Sequence, residues 1–340
     1  MNGQASSTLS TWYVLREFET RDITARSYKS RHSLELSAAK AREISSNFVQ
    51  AREYFRNASG ADFTVRPLLL YYGVASLSRG LTLFLDPTKR ETSLEQGHGL
   101  TTHVWGPKLS NGLNEIGNLQ VRLTKGLFHD LLTSTGNRFY FRHNSSGVNW
   151  SIGATIPSIG SEFMLQEITA RIPDVSDQFS AWTGESFPSI ELTSLGVDGA
   201  SGMYRISVPK RDEEKIDNVF PVTHFPGRSV VEDGDSLVVE STSADGVFVA
   251  QRVGWLNIGD VVLYRPLESN LYFTPLAACF MVSFFLGMLC RYFPTTWINI
   301  ARTEKGDAFY PLATRLLDWT EEAFPAMVVD VLRGPYDFET

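Results

Sequence analysis

The side chains here that could do chemistry are two neighbouring histidines, one run of arginines and aromatics, and two arginines set in an apolar stretch. His98 and His103 flank Gly99-Leu100-Thr101-Thr102 inside a loop-rich segment, Asp86 to Asn114, punctuated by Gly, Pro and Asn. Five residues apart and without an acid at ligand spacing, they make a weak metal motif. His98 is the better candidate for a general acid or base, because imidazole titrates near neutral pH. The plainer reading is a hydrogen-bonded loop histidine. Arg138-Phe139-Tyr140-Phe141-Arg142-His143 alternates, and as a strand it puts Arg138, Tyr140 and Arg142 on one face. That combination can stack on a base and neutralise phosphate.

Arg66 and Arg79 lie in the second half of a helical hairpin. In the first half, Ile44, Phe48, Ala51 and Phe55 fall on one stripe of a 3.6-residue helix. Asn57-Ala58-Ser59-Gly60 supplies the stop, with Gly60 suited to a left-handed cap; Thr64 is placed to cap the next helix and Pro67 falls in its first turn. From Leu68 to Leu85 the second helix is apolar almost all round, which predicts burial on several sides. Gly73, Ser76 and Gly80 leave room for another backbone. A buried arginine needs an anionic or carbonyl partner. Either each arginine pairs with a carboxylate of this chain, or Arg66, Arg79, Tyr71 and Tyr72 line an anion site. Thirteen residues apart, the two arginines point about 140° away from each other. Arg66, beside the positive end of the helix dipole, is the expected ligand for an exchangeable anion. Arg79 is the expected internal ion-pair member, with Asp307 or Glu321.

Phe48-Val49-Gln50-Ala51-Arg52-Glu53-Tyr54-Phe55 and Arg66-Pro67-Leu68-Leu69-Leu70-Tyr71-Tyr72-Gly73 resemble the YaaC-like family. Similar elements recur at Gly97-His98-Gly99-Leu100 and at Met288-Leu289-Cys290-Arg291-Tyr292-Phe293-Pro294-Thr295-Thr296-Trp297. The resemblance spans most of the chain, weakest in the middle third. It implies a bacterial, intracellular protein with a soluble fold, and brings no established set of catalytic residues. Arg138 and His143 also match R-x4-H, the spacing found in HEPN ribonucleases, which are small helical bundles. In that family the motif lies on or just after a late helix and faces a dimer partner. Here it is mid-chain on an expected strand, and no histidine follows His224. That departure argues against ribonuclease activity.

Other motifs are absent. Glu232-Asp233-Gly234-Asp235 lacks the spacing and terminal glutamate of a calcium loop. Ser145, Ser146 and Ser161 have no Gly-x-Ser-x-Gly context, and neither a Walker loop nor Gly-x-Gly-x-x-Gly is present. No cofactor and no metal is expected.

At 340 residues, 43% hydrophobic and 20% charged, the chain belongs among folded globular proteins and exceeds the usual single-core size. A net charge of −7 argues against an overall nucleic-acid footprint while leaving room for a local basic patch. Cys279 and Cys290, eleven residues apart, would sit roughly 16 Å apart on one helix. That is too far to bridge, and reduced, cytoplasmic thiols are expected. The N-terminal residues show no signal-peptide pattern. Leu271 to Leu289 carries no charge over nineteen residues, the length of a membrane span. Thr274-Pro275 starts its helix late and no basic cluster flanks it, so a buried core helix is expected and no membrane.

The expected tail is 1–10, followed by a mostly helical block over 11–186. Glu162 to Ile172 reads as a helix. An antiparallel β region over 187–264 comprises short runs at 190–192, 203–208, 219–225, 236–240, 247–253 and 261–264, with turns at Asp233-Gly234 and Asp245-Gly246. A C-terminal helical block, 265–340, ends in a pair of amphipathic helices, Asp307 to Trp319 and Glu322 to Leu332. The fold class is α+β: a helical bundle formed by the N- and C-terminal blocks with an inserted antiparallel β region. The expected partner is a protein, including a second copy, or an anionic ligand such as a nucleotide or nucleic acid, bound through the bundle. The alternative is a nucleic-acid-directed effector of toxin or phage-defence type. Arg66, Tyr71, Tyr72 and Arg142 are the expected ligand-binding residues; His98, Arg138 and His143 are the catalytic candidates.

Overall fold

The computed structural model describes residues 11–110, 112–143, 147–197, 201–223, 225–242, 248–251, 261–264, 267, 273–302 and 308–334. The expected tail at 1–10, the Asp245-Gly246 turn and Asp307 lie outside the described residues. Helices α1 (11–17), α2 (Arg21–His32), α3 (Ala38–Ser59) and α4 (Arg66–Leu85) come first. Then follow β1 (His98–His103), α5 (Trp105–Ser110), β2 (Gln120–Gly126), α6 (Leu127–Thr135), β3 (Arg138–His143), β4 (Gly147–Gly153), β5 (Glu162–Met164), α7 (Leu165–Thr169) and α8 (Ser176–Thr183). The β region holds β6 (Ser189–Glu191), β7 (Ser194–Val197), β8 (Tyr204–Pro209), α9 (Ile216–Val219), β9 (Ser229–Asp233), β10 (Ser236–Ser241), β11 (Phe248–Gln251) and β12 (Val261–Tyr264). Helices α10 (Pro275–Tyr292), α11 (Pro294–Ala301) and α12 (Phe309–Arg333) end the described chain.

The fold is α+β, with helices from both ends of the chain in one bundle. Its axis is α4, packed against α3, α6, α10 and α12. The α3 stripe of Ile44, Phe48, Ala51 and Phe55 is at most 3% exposed, as its helical spacing dictates. Gly73 and Gly80 make room for the rings of Phe55 and Phe48, not for a backbone. Helix α10 starts as its sequence predicts: the Thr274 hydroxyl accepts from the Ala277 N–H at 3.3 Å, and Pro275 follows. Both α4 and α10 are long and apolar enough to cross a membrane, and both are mostly covered by protein here. Cys279 and Cys290 are free thiols.

The C-terminal segment docks on the α3–α4 turn. Cys290 Sγ donates to the Thr64 carbonyl at 3.1 Å, and Trp297 Nε1 donates to the Phe63 carbonyl at 3.0 Å. The Phe63 and Trp297 rings stack at 4.5 Å. At the other end of α4, the buried Lys40 ammonium donates to the carbonyls of Asp86 (2.7 Å) and Pro87 (3.0 Å). It thereby serves acceptors just past a helix end that has no other basic cap.

Four small sheets complete the fold, all antiparallel: β1-β2-β5, β3-β4, β7-β8-β10-β9 and β11-β12-β6. The β region has its own apolar cluster, including Ile190, Val208, Phe220, Phe225 and Val239, apart from the cluster that fills the bundle. Asp233-Gly234 turns β9 into β10, with Gly234 at φ 61°.

Several local expectations are corrected. Gly60 caps α3 at φ −105°, outside the left-handed region, and Thr64 bonds Asp62 Oδ1 while Val65 occupies the cap position of α4. The loop-rich 86–114 segment contains β1 and α5, because β1 is held by pairing with β2 rather than by local pattern. Glu162 to Ile172 begins as β5, whose Phe163 pairs with Val121, and only then turns helical. The run 219–225 is a turn after α9, where Pro221 lacks the N–H a ladder needs. The two final helices are one, α12, which continues through Thr320 and tolerates Pro325 in its interior.

Candidate anion-binding site

The two arginines of α4 have different surroundings. Arg66 Nη1 lies 2.8 Å from Asp318 Oδ1, and Nη2 lies 2.6 Å from Glu321 Oε2, both carboxylates on α12. With its side chain 17% exposed, Arg66 joins the two ends of the chain and is closed to an exchangeable anion. Arg79 has no hydrogen bond and no ion pair among the described residues. Glu321, one of its expected partners, is held by Arg66. The reason is separation along the chain: the partners of Arg66 lie 252 and 255 residues away, and helix periodicity does not report them.

Arg79 belongs to a cluster built from three distant segments. Tyr71, fully buried on α4, donates its hydroxyl to His98 Nδ1 at the start of β1. Burial raises the pKa of this phenol, so the proton stays on Tyr71 and His98 Nδ1 accepts it. The remaining imidazole proton is then assigned to Nε2 by the hydrogen-bond network. The Phe284 ring of α10 sits 5.6 Å from that of Tyr71 and 5.8 Å from that of His98. Seven residues on, and so on the same face of α10, is Arg291. Its Nη1 donates to the Tyr72 hydroxyl at 3.2 Å. Tyr72 and Arg79 are likewise seven apart on α4.

The main chain aims His98 at Tyr71. Gly97 (φ 123°) and Gly99 (φ 77°) place the histidine between two left-handed residues, and the β1–β2 register slips between His98 and Leu100. Such a bulge turns one side chain out of the strand's alternation. His98 therefore belongs to a strand end, not the expected loop; His103, at the other end of β1, lies 3.2 Å from Glu162 and away from this cluster.

The electrostatics around His98 are set by burial and by positive charge. His98 has its pKa lowered by burial first, then by the positive charges of Arg291 and Arg79. Among the described residues no carboxylate is within ion-pair distance of either arginine. Arg291 also sits in the last turn of α10, where a cation complements the helix dipole. Arg79, in mid-helix, has no such role. Tyr54 lies 5.5 Å from Tyr72 ring to ring, and Tyr292 is 57% exposed beneath the Arg291 guanidinium.

Tyr71, Tyr72 and His98 are thus brought together, and Arg66 is not with them. Arg138 is exposed on β3 and the R-x4-H run is a strand paired with β4, with a register slip between Phe141 and Arg142 that interrupts the expected single face. The side chains of Arg142 and His143 lie outside the described part. Arg291 was not among the expected site residues. Its signal was the one charge closing an otherwise apolar helix, inside a segment that carries the family resemblance.

No curated protein and no solved structure matches the chain. The family model described as YaaC-like Protein matches residues 13–332, nearly the whole chain. By that match the chain belongs to the YaaC-like family.

Proposed function

We propose that this protein binds a nucleotide-type anion over the seam between α4 and α10. Of the partners expected from the sequence, a protein and an anion, the geometry supports the anion. Arg79 and Arg291 take the phosphate, and the His98 Nε2–H donates to a further oxygen. Tyr72, with Tyr54 beside it, and the exposed Tyr292 offer ring faces to a base. The observation that carries this reading is that two arginines bear electrostatically on one half-buried histidine while, among the described residues, neither is paired with a carboxylate. Neither guanidinium has a carboxylate partner among the described residues, and a bound phosphate would supply the missing anionic charge.

The test is calorimetric titration of the purified protein with AMP, GMP and inorganic phosphate, beside native mass measurement after gentle purification. A nucleotide should bind more tightly than phosphate alone, and the Arg79→Ala/Arg291→Ala double variant should lose it. Absence of nucleotide binding to a folded wild type, or binding that survives the double variant, rules the site out.

A further inference from the structure

A cavity lies elsewhere in the structure. It has a volume of about 670 Å³, within the range of small-molecule sites, and opens between the α7–α8 segment and the β region. Its apolar wall is an edge-to-face chain of rings. Phe179 of α8 packs on Phe187 at 5.5 Å, and Phe187 packs on Tyr264 of β12 at 5.7 Å. Such a wall offers flat apolar area to a planar molecule.

Its charges are balanced. Two cations, Arg171 and Lys215, and two carboxylates, Glu167 and Glu185, line it. Lys215 is held by Asp212 at 2.8 Å, and Arg171 Nη1 donates to the Glu167 carbonyl at 2.5 Å. Glu167 Oε2 accepts from the Met164 N–H at 3.2 Å. These groups serve the protein itself, and no net field selects an anion. What remains for recognition is a carboxamide from each side: Gln166 on α7 and Asn218 on α9 line the cavity, and neither side chain has a hydrogen-bond partner among the described residues. A carboxamide presents a donor and an acceptor side by side, which matches the edge of a base.

We infer that this cavity binds an uncharged planar heterocycle of the nucleobase or nucleoside class, with its face on the Phe179–Phe187–Tyr264 wall and its edge between Gln166 and Asn218. The site is separate from the arginine cluster on α4 and α10 and stands whether or not that cluster binds a nucleotide. Charge separates the two ligands: a 5′-phosphate favours the arginine cluster and gains nothing here.

The probes are adenosine, guanosine, cytidine and uridine, each at millimolar concentration, observed by saturation-transfer NMR. Ser186 and Asn218 are exposed at the cavity, so Ser186→Trp fills it and Asn218→Ala removes one amide without disturbing the core. At least one nucleoside should give transfer with the wild type. Ser186→Trp should abolish it, and Asn218→Ala should weaken binding about tenfold, the effect of one hydrogen-bonding group. The inference is overturned if none of the four binds a wild type that melts normally, or if transfer survives Ser186→Trp. It is equally overturned if transfer is lost only in the Arg79→Ala/Arg291→Ala variant.

Discussion

Helix α4 carries one arginine at its N-terminal end and one past its middle, and their surroundings are opposite. Around Arg66 two carboxylates of α12 close within 2.8 Å, and the charge ties the first helical block to the last. Arg79 has no carboxylate partner among the described residues and, with Arg291, bears electrostatically on His98 and Tyr71. A charge matched by carboxylates of its own chain contributes to stability and specificity of fold. One left among like charges costs stability and makes a place for something else. The same residue type on the same helix is thus matched by carboxylates at one site and, at the other, is the residue to which we assign recognition.

That contrast breaks first at Arg66. Arg66→Ala leaves Asp318 and Glu321 facing each other without a cation and should cost about 3 kcal/mol, the low end for breaking a partly buried pair. Urea unfolding of the variant measures it, and a midpoint equal to wild type would remove Arg66 from the structural role. At the other site the effects should divide differently. Arg79→Ala should leave stability unchanged or raise it slightly, since it removes a half-buried charge with no ion-pair partner among the described residues, while weakening nucleotide binding about tenfold, or ~1.4 kcal/mol. A large stability loss in Arg79→Ala would mean that a carboxylate does serve it. Tyr71→Phe removes the hydrogen bond that fixes the His98 tautomer and should cost about 1 kcal/mol of stability, visible as a lower melting temperature.

The smallest effect is in the pH dependence. His98 has a folded pKa below the ordinary 6.5, so below that pH the unfolded chain binds a proton that the folded chain does not. Its share of stability is complete above about pH 6.5 and declines as the pH falls toward the folded value. His32, also lowered by burial, adds to the same slope. His98→Gln should therefore flatten the stability curve between neutral pH and mild acid without abolishing the slope. A bound phosphate favours imidazolium, so nucleotide affinity in the wild type should rise over the same interval, and His98→Gln should lose that rise.

What the sequence shows and hides follows the same division. The α3 stripe, the Thr274-Pro275 start of α10 and the Asp233-Gly234 turn are local patterns, and each forms as its pattern dictates. The fold class follows from them. The opposite fates of Arg66 and Arg79 were not legible, because both are arginines in an apolar helix and their neighbours come from α12, β1 and α10. Strand β1 was read as loop for a related reason: its flanking glycines are turn signals locally, and only pairing with β2 makes them a bulge. Tyr71, Tyr72 and His98 could be singled out as polar residues in unusual places. Arg291 could be added only once α10 was laid against α4.

The bulge at His98 makes the site's location a property of residues that have no side chain to offer. A Cβ on Gly126 would come within 2.5 Å of the Gly99 nitrogen, and one on Gly99 within 2.6 Å of the Phe128 nitrogen. Backbone meets backbone there, so no rotamer change can absorb an added methyl and the two strands would have to part. A single methyl group remote from any ligand would then carry His98 away from Tyr71 while the aromatic interior of the bundle stayed packed. Taking the cluster apart by mutation would thus not require touching its arginines, its tyrosines or its histidine.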